Sequence, residues 1–167
     1  MTGRKFIVIL VLIILGVAWY LFRPERLFIN ARVNENFPES PSEQKVTSAG
    51  SPVALFIGHF HGVAHEGEGV ATIYQLPNGK RVLRFTEFKT SNGPEVQVYL
   101  VAADDANDSD TVKKAGFVSL GSIKGNIGDQ NYDVPSDVDL AKYKAVTIWC
   151  RRFGINFATA PLAPQEN

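Results

Sequence analysis

Apolar and polar residues alternate with a period of two along most of this chain beyond residue 53. In the segment 69–76, the residues Val70, Tyr74 and Leu76 fall on one face of an extended chain. The segment 95–102 alternates in the same way. A period of two is typical of strands with one buried face, and it is incompatible with a helical domain. The pattern therefore predicts an all-β domain.

Turn signals divide this region into about seven to nine short strands. The clearest is Asn78-Gly79, a pair that adopts the positive φ angles of a tight hairpin. Strands of this length, separated by turns every 8–12 residues, indicate an antiparallel β-sandwich or a barrel-like domain, which we place at residues 53–164. The polar stretch 103–114 is predicted to be a loop. No stretch has the pattern of a βαβ unit.

The N-terminus is different in kind. Residues 6–22 form a run of 17 residues without a charge, which as a helix reaches about 25 Å, close to the shortest span of a bilayer. Trp19 and Tyr20 suit the membrane interface at its end. We predict a single-pass anchor at residues 1–22 that places the C-terminal domain outside the cytoplasm. A cleaved signal peptide is the alternative, because small residues at 16–18 suit a peptidase.

Residues 23–52 have the composition of a linker. Apolar residues are spaced irregularly in the first part, and the part 38–52 is polar, with Pro38, Pro41 and Pro52 interrupting any regular structure. Near residues 26–34 the sequence is also compatible with a short helix.

The charge balance excludes one class of partner. The chain has 17 acidic and 17 basic residues, so it has no general attraction for nucleic acid. It also lacks recognisable hydrolase, phosphate-loop and zinc-protease motifs, which makes a hydrolase the least favoured enzyme class. The remaining alternatives are a redox module and a cell-surface binding or adhesion module without chemistry.

Cys150 is the only cysteine, so it cannot form an internal disulfide. It is a buried spectator, an intermolecular partner, or a reactive or ligating group. Strand alternation puts it on the apolar face with Val146 and Ile148, which favours burial. Arg151 and Arg152 follow it, and neighbouring cations favour the reactive thiolate. The sequence leaves both interpretations open.

The three histidines of the chain lie close together in sequence. His59 and His61 are two residues apart in a predicted strand, so their side chains should share a face, and His65 follows in a glycine-flanked loop. With Cys150 they offer nitrogen and sulfur ligands for a transition metal or a haem iron. The alternative is that they are solvated polar residues. Acidic residues in the segment 104–110 could attract calcium, although the segment lacks the later glycine and glutamate of an EF-hand.

Several segments together resemble the DM13 family, which is described as an electron-transfer domain. The resemblance covers residues 53–164. The matching segments are Gly58–Ala71, Leu83–Phe88, Asn92-Gly93-Pro94, Val98-Tyr99-Leu100, Asn131–Pro135 and Val146–Leu162.

This resemblance implies a β-rich fold on membrane-tethered proteins. It also implies redox chemistry at the motif cysteine, which corresponds to Cys150, acting either as a naked thiol or as a ligand to a group such as haem. His65 is the candidate neighbour in that chemistry. Because the domain stands alone behind its anchor, the expected electron partner is a separate redox or cell-surface protein.

Overall fold

A computed structural model describes residues 3–22, 29–38 and 50–165. Helix α1 spans Gly3–Phe22, and its residues Gly3–Leu21 are long and apolar enough to cross a membrane, with a mean hydropathy of 2.2. A signal sequence would pass the same test. The rest of the described chain is mostly β-structure, as the alternation predicts.

Within the described residues, the strands form two antiparallel five-stranded sheets. The strands of the first sheet are β1 (Val53–His59), β3 (Gly67–Gln75), β4 (Arg81–Thr90), β7 (Gln130–Val134) and β10 (Ala163–Pro164), in the order β10-β1-β3-β4-β7. The strands of the second sheet are β2 (His61–Gly62), β5 (Val96–Val101), β6 (Phe117–Ser122), β8 (Ala145–Cys150) and β9 (Ile155–Pro161), in the order β2-β9-β8-β5-β6. The count of ten slightly exceeds the predicted seven to nine because β2 and β10 have two residues each.

The main hydrophobic core contains side chains from both sheets. Phe85 and Leu83 of the first sheet and Val98 and Ile148 of the second are fully buried in one cluster. This is the arrangement of a β-sandwich, in which alternate residues of each strand face the other sheet. The hairpin between β3 and β4 turns at Asn78-Gly79, so its position is confirmed. Only Gly79 has a positive φ, of 81°, so the pair does not form the turn with two positive φ angles that the sequence predicts.

The prediction of a loop over 103–114 is wrong in part. Helix α2 spans Ser109–Ala115, and the Asp108 side chain caps it by accepting a hydrogen bond from the backbone N–H of Thr111 at 2.6 Å. Val112 of α2 is buried in a second cluster, with Tyr99 and Trp149, on the outer face of the second sheet. The helix therefore covers apolar residues that alternation turns away from the main core.

Residues 29–38, which the composition assigns to a linker, run in an extended conformation along the β-domain. We call them the N-terminal strap. The backbone N–H of Val33 donates to the Ile127 carbonyl and that of Glu35 donates to the Asp129 carbonyl, both at 2.9 Å. Residues 29–34 are not helical, and the rest of the helix considered near 26–34 lies outside the described residues.

Side chains also hold the strap in place. The Arg84 guanidinium donates to the Glu35 carbonyl at 3.1 Å and pairs with Asp129 at 2.7 Å. The Glu35 carboxylate accepts hydrogen bonds from the Lys124 ammonium at 2.7 Å and from the Asn131 backbone N–H at 2.7 Å. Partial burial opposes ionisation of Glu35, but these hydrogen bonds outweigh it and hold the pKa of Glu35 below its ordinary value of 4.5.

This ion pair predicts a pH-dependent contribution to stability. A carboxyl group with a lowered folded-state pKa stabilises the fold above pH 4.5 and loses that effect as the pH falls through the folded-state value. We expect Glu35→Gln to lower the free energy of unfolding at pH 7 by less than about 1 kcal/mol, because the pair is partly exposed. The difference from the unsubstituted chain should disappear in acid. Denaturant titrations of Glu35→Gln, Lys124→Met and the double variant at several pH values measure it, and a difference that persists at low pH contradicts this account.

Candidate functional site

Cys150 is the last residue of β8 and is fully buried. Its side chain belongs to the main core cluster with Val146 and Ile148, whereas Trp149 faces the second cluster. The strand alternation therefore holds along β8. The sulfur has no direct access to solvent in this conformation.

The loop 91–95 covers the sulfur. The Cys150 Sγ donates a hydrogen bond to the Pro94 carbonyl at 3.1 Å, an arrangement that requires the protonated thiol. The backbone N–H of Arg151 donates to the Glu95 carbonyl at 3.1 Å, and Val96 pairs with Cys150 in the sheet. Arg151 and Arg152 are exposed in the turn after β8. In this closed arrangement the Cys150 sulfur contacts the Pro94 carbonyl, so the structure does not show a thiolate stabilised by these two cations.

The covering loop is strained at one residue. Glu95 has φ 55°, in the left-handed region that a residue with a Cβ adopts at a cost of about 1–2 kcal/mol. Its side chain is about half exposed, and its carboxylate lies 3.7 Å from the Arg152 guanidinium. Strain of this kind is held by the surrounding contacts, and it lowers the free energy needed to open the loop.

Phe157 connects this loop to the glycine-flanked loop 62–67. Its carbonyl accepts hydrogen bonds from the backbone N–H groups of Val63 at 2.9 Å and His65 at 3.1 Å. The His65 ring lies against the Phe157 ring, with centroids 4.0 Å apart. Gly93 lies so close to the same ring that a Cβ at position 93 would be 2.9 Å from Cζ. Phe157 thus supports both loops.

Three segments that are distant in sequence therefore meet at one end of the sandwich. We call this the cysteine end and define it as Cys150, Phe157, the loops 62–67 and 91–95, and the turn 151–154. The sequence singles out Cys150 and His65, whereas Asn92-Gly93-Pro94 stands out there only as a segment of the DM13 resemblance. The signal in the sequence is the pair Gly93-Pro94. In the structure a Cβ at position 93 would collide with the Phe157 ring, and the Pro94 carbonyl accepts a hydrogen bond from the Cys150 thiol, as the carbonyl of any residue can.

The structure does not place His59 and His61 on one face. His59 ends β1 and pairs with Val70 in the first sheet, whereas His61 lies in β2 and pairs with Thr159 in the second. The chain crosses from the first sheet to the second at the buried Phe60, so the two histidines belong to different sheets. The His61 ring nitrogen Nε2 is 3.0 Å from the Asp105 carboxylate instead.

A metal site from the three histidines is therefore not assembled. Within residues 3–22, 29–38 and 50–165, no group of three His, Cys, Asp or Glu side chains is placed to hold a metal ion. The acids considered for calcium have other partners: Asp104 pairs with Lys144 at 2.9 Å, Asp105 with His61, and Asp108 with the helix α2.

The residues around Cys150 do not fit a haem or a metal ion ligated by its sulfur. An axial ligand needs its sulfur to face a cavity, and the Cys150 sulfur instead faces packed side chains and the Pro94 carbonyl. The cleft of about 570 Å³ beside the covering loop is lined by Gly93, Glu95 and Val96 but not by Cys150. A naked thiol is the form that the closed site accommodates.

Comparison with known proteins supplies one match. A family model described as electron transfer DM13 matches residues 59–162. The matched region includes every segment of the cysteine end. No curated protein and no solved structure was found to match the chain.

Proposed function

This chain belongs to the DM13 family of electron-transfer domains, and we propose that it is a membrane-anchored redox module whose working group is the Cys150 thiol. The observation that carries the proposal is the convergence at the cysteine end. Segments of the family match that are 84 to 95 residues apart in sequence, 62–67 and 151–157, lie at the end of the sandwich that carries the only thiol of the chain. A cysteine that only filled space in the core would not need a dedicated covering loop.

The proposed reaction is thiol–disulfide exchange with a protein disulfide. The Cys150 thiol loses its proton, and the thiolate attacks one sulfur of the partner's S–S bond. A bond forms between Cys150 and that sulfur while the partner's S–S bond breaks, and the leaving thiolate takes up the proton. The Cys150 sulfur is oxidised and the leaving sulfur is reduced. Because the chain has one cysteine, a second thiol of a partner must resolve the mixed disulfide.

Access to the sulfur requires the loop 91–95 to open. Its direct bonds to the end of β8 are the contacts of Cys150 with Pro94 and of Arg151 with Glu95. Few hydrogen bonds and the strain at Glu95 make this loop a candidate for local opening without unfolding of the sandwich. Opening also removes the Pro94 carbonyl that holds the thiol proton. The His65 ring contacts Phe157, and it is assigned no chemical step.

The anchor defines where this module works. We assign α1 as an uncleaved single-pass anchor and the β-domain as extracytoplasmic. The support is the apolar helix Gly3–Leu21, with Trp19 and Tyr20 at the end nearer the domain. An extracytoplasmic compartment also permits protein disulfides, which are the proposed partner.

The full chain in lipid nanodiscs tests the redox proposal. We expect oxidised glutathione to form one mixed disulfide per folded chain, reversible by dithiothreitol and lost in Cys150→Ser and Cys150→Ala. A control chain with Cys150→Ala and Ser51→Cys reports the behaviour of an exposed thiol. Adduct formation that occurs only in denaturant, while circular dichroism shows the untreated chain to be folded, overturns the proposal.

The complete burial of Cys150 favours a second candidate, a surface binding module without chemistry. In that case Cys150 is an inert core residue, as buried cysteines commonly are. The two candidates differ in one variant: a stable Cys150→Ala chain keeps full activity in the cell if the module only binds, and loses it if the thiol carries electrons.

A further inference from the structure

We infer that the turn 151–154 docks against anionic lipid headgroups of the membrane that holds α1, so that the cysteine end faces the bilayer. This inference rests on the proposed anchoring of the chain. It does not depend on the redox chemistry of Cys150.

The turn presents apolar side chains to solvent. Phe153, at the tip of the turn, is 56 % exposed, and Ile155, at the start of β9, is 36 % exposed. Arg151 and Arg152 directly precede Phe153 and are exposed. An exposed aromatic beside basic residues is the composition of segments that lie in a membrane interface, with the ring among the acyl chains and the cations at the headgroups.

The charge around the turn is positive. Lys113 of α2 reaches it, because its Nζ lies 4.0 Å from the position that a Cβ of residue 154 would occupy and 6.0 Å from the Trp149 ring. Glu95 opposes Arg152, and Asp110 opposes Lys113 and Lys114. Asp108 also lies near Lys114. Four cations against three carboxylates leave an excess of one positive charge, the sign that suits an anionic surface.

The residues on either side of the connection between α1 and the N-terminal strap both contact the cysteine end. The Arg152 guanidinium donates to the carbonyl of Leu21, in the last turn of α1, at 3.3 Å. On the other side of the connection, the Ile29 carbonyl accepts from the Asn92 side chain at 2.7 Å, and Asn92 belongs to the loop that covers Cys150. Seven residue steps from Phe22 to Ile29 reach at most about 25 Å. The hydrogen bonds of Arg152 with Leu21 and of Asn92 with Ile29 both join this connection to the cysteine end, so we expect that end to lie next to the bilayer.

The opposite end offers a matched control residue. Phe117 is 47 % exposed, and it pairs with Val101 at the far end of β5, whereas Cys150 pairs with Val96 at the near end. Phe153 and Phe117 are thus exposed aromatic residues at the two ends of one sheet. If the turn 151–154 docks on the membrane, the side chain at position 153 is shielded from water and the side chain at position 117 is not.

The test uses the full chain in nanodiscs of phosphatidylcholine with about one third phosphatidylglycerol, an anionic lipid. A nitroxide is attached through Phe153→Cys or Phe117→Cys in a Cys150→Ser background, with Cys150→Ala as a second background if the first misfolds. We expect the label at position 153 to collide with dissolved oxygen at least about three times as often, relative to an aqueous nickel chelate, as the label at position 117. Arg151→Gln with Arg152→Gln should reduce that ratio toward one.

Equal accessibility of the two labels overturns the inference and leaves the turn as a solvent-exposed or protein-binding surface. The intact mass of the chain from membranes separates this failure from a failure of the anchoring premise, because a chain cleaved near residue 18 would lack α1. Because the labelled chains have no Cys150 thiol, the result is independent of the redox proposal.

Discussion

Cys150 in the folded chain should react with iodoacetamide at least about 100-fold more slowly than in the chain unfolded by denaturant. The sulfur is fully buried, and the Pro94 carbonyl accepts its hydrogen bond, so the reagent must wait for the loop 91–95 to open. A factor of 100 corresponds to an opening free energy of about 2.7 kcal/mol. Mass spectrometry of quenched samples gives both rates.

The route of opening decides what this protection means. If only the loop opens, little surface is exposed, and the rate should depend weakly on denaturant well below the unfolding transition. If the sulfur reacts only through global unfolding, the rate should follow the free energy of unfolding across that range. The second outcome would contradict the proposed local opening of the loop 91–95 and favour an inert core cysteine.

Two substitutions at Glu95 separate backbone strain from charge. Glycine adopts φ 55° without the Cβ penalty, so Glu95→Gly should stabilise the closed loop and slow the reaction about two- to five-fold, after part of the gain is offset by greater freedom in the open state. Glu95→Ala removes the same carboxylate but keeps the strain. Its rate should stay near that of the unsubstituted chain, since the ion pair with Arg152 is exposed and weak. Equal slowing in both variants would show that strain does not set the opening.

The features that sequence predicts correctly are local ones. The segments 69–76 and 95–102 fall on β3 and β5, and Asn78-Gly79 turns between β3 and β4. In β5 the alternate residues join the main core, whereas in β3 the core-facing residues are Ala71 and Ile73 and not Val70 and Tyr74. Each depends on neighbours in the chain, through the pleat of a strand or the φ angles of a turn. The apolar run at residues 6–22 is likewise a property of its own composition, and it forms α1.

The features that sequence misses depend on contacts over long distances. His59 and His61 have strand spacing, yet the chain changes sheets between them, and no period of two records that change. Helix α2 has only seven residues, which is too few for a helical period to be recognised. The acidic residues just before it have the composition of a loop. The strap has the composition of a linker. Its ordered conformation comes from partners such as Arg84 and Lys124, about 50 and 90 residues away, which the local sequence does not reveal.

The candidate site divides in the same way. The sequence singles out Cys150 as the only thiol and places it on the apolar face of its strand, which the structure shows. Its cover includes Pro94, 56 residues earlier. Phe157 belongs to the same core cluster and contacts His65 and Gly93 of the two loops. These relations come from the packing of two sheets, and the spacing of the motifs alone does not contain them.

Replacing Phe157 with alanine should lower the free energy of unfolding by about 3–5 kcal/mol, since its buried ring would leave a cavity in the core. The loss should also loosen both loops of the cysteine end, because the ring contacts Gly93 and His65. Denaturant unfolding of the full chain in mild detergent, followed by circular dichroism, measures the first effect.

Phe117→Ala is the matched control, because Phe117 is half exposed and stacks only on Tyr99 among the described aromatic rings. It should cost less than about 1.5 kcal/mol and leave the iodoacetamide rate of Cys150 unchanged, whereas Phe157→Ala should raise that rate at least about ten-fold under conditions where the chain is still folded. A Phe157→Ala chain that is destabilised but keeps Cys150 equally protected would mean that Phe157 supports the core and not the cover. Protection would then depend on the Pro94 and Glu95 contacts alone, and the cysteine end would not act as one unit.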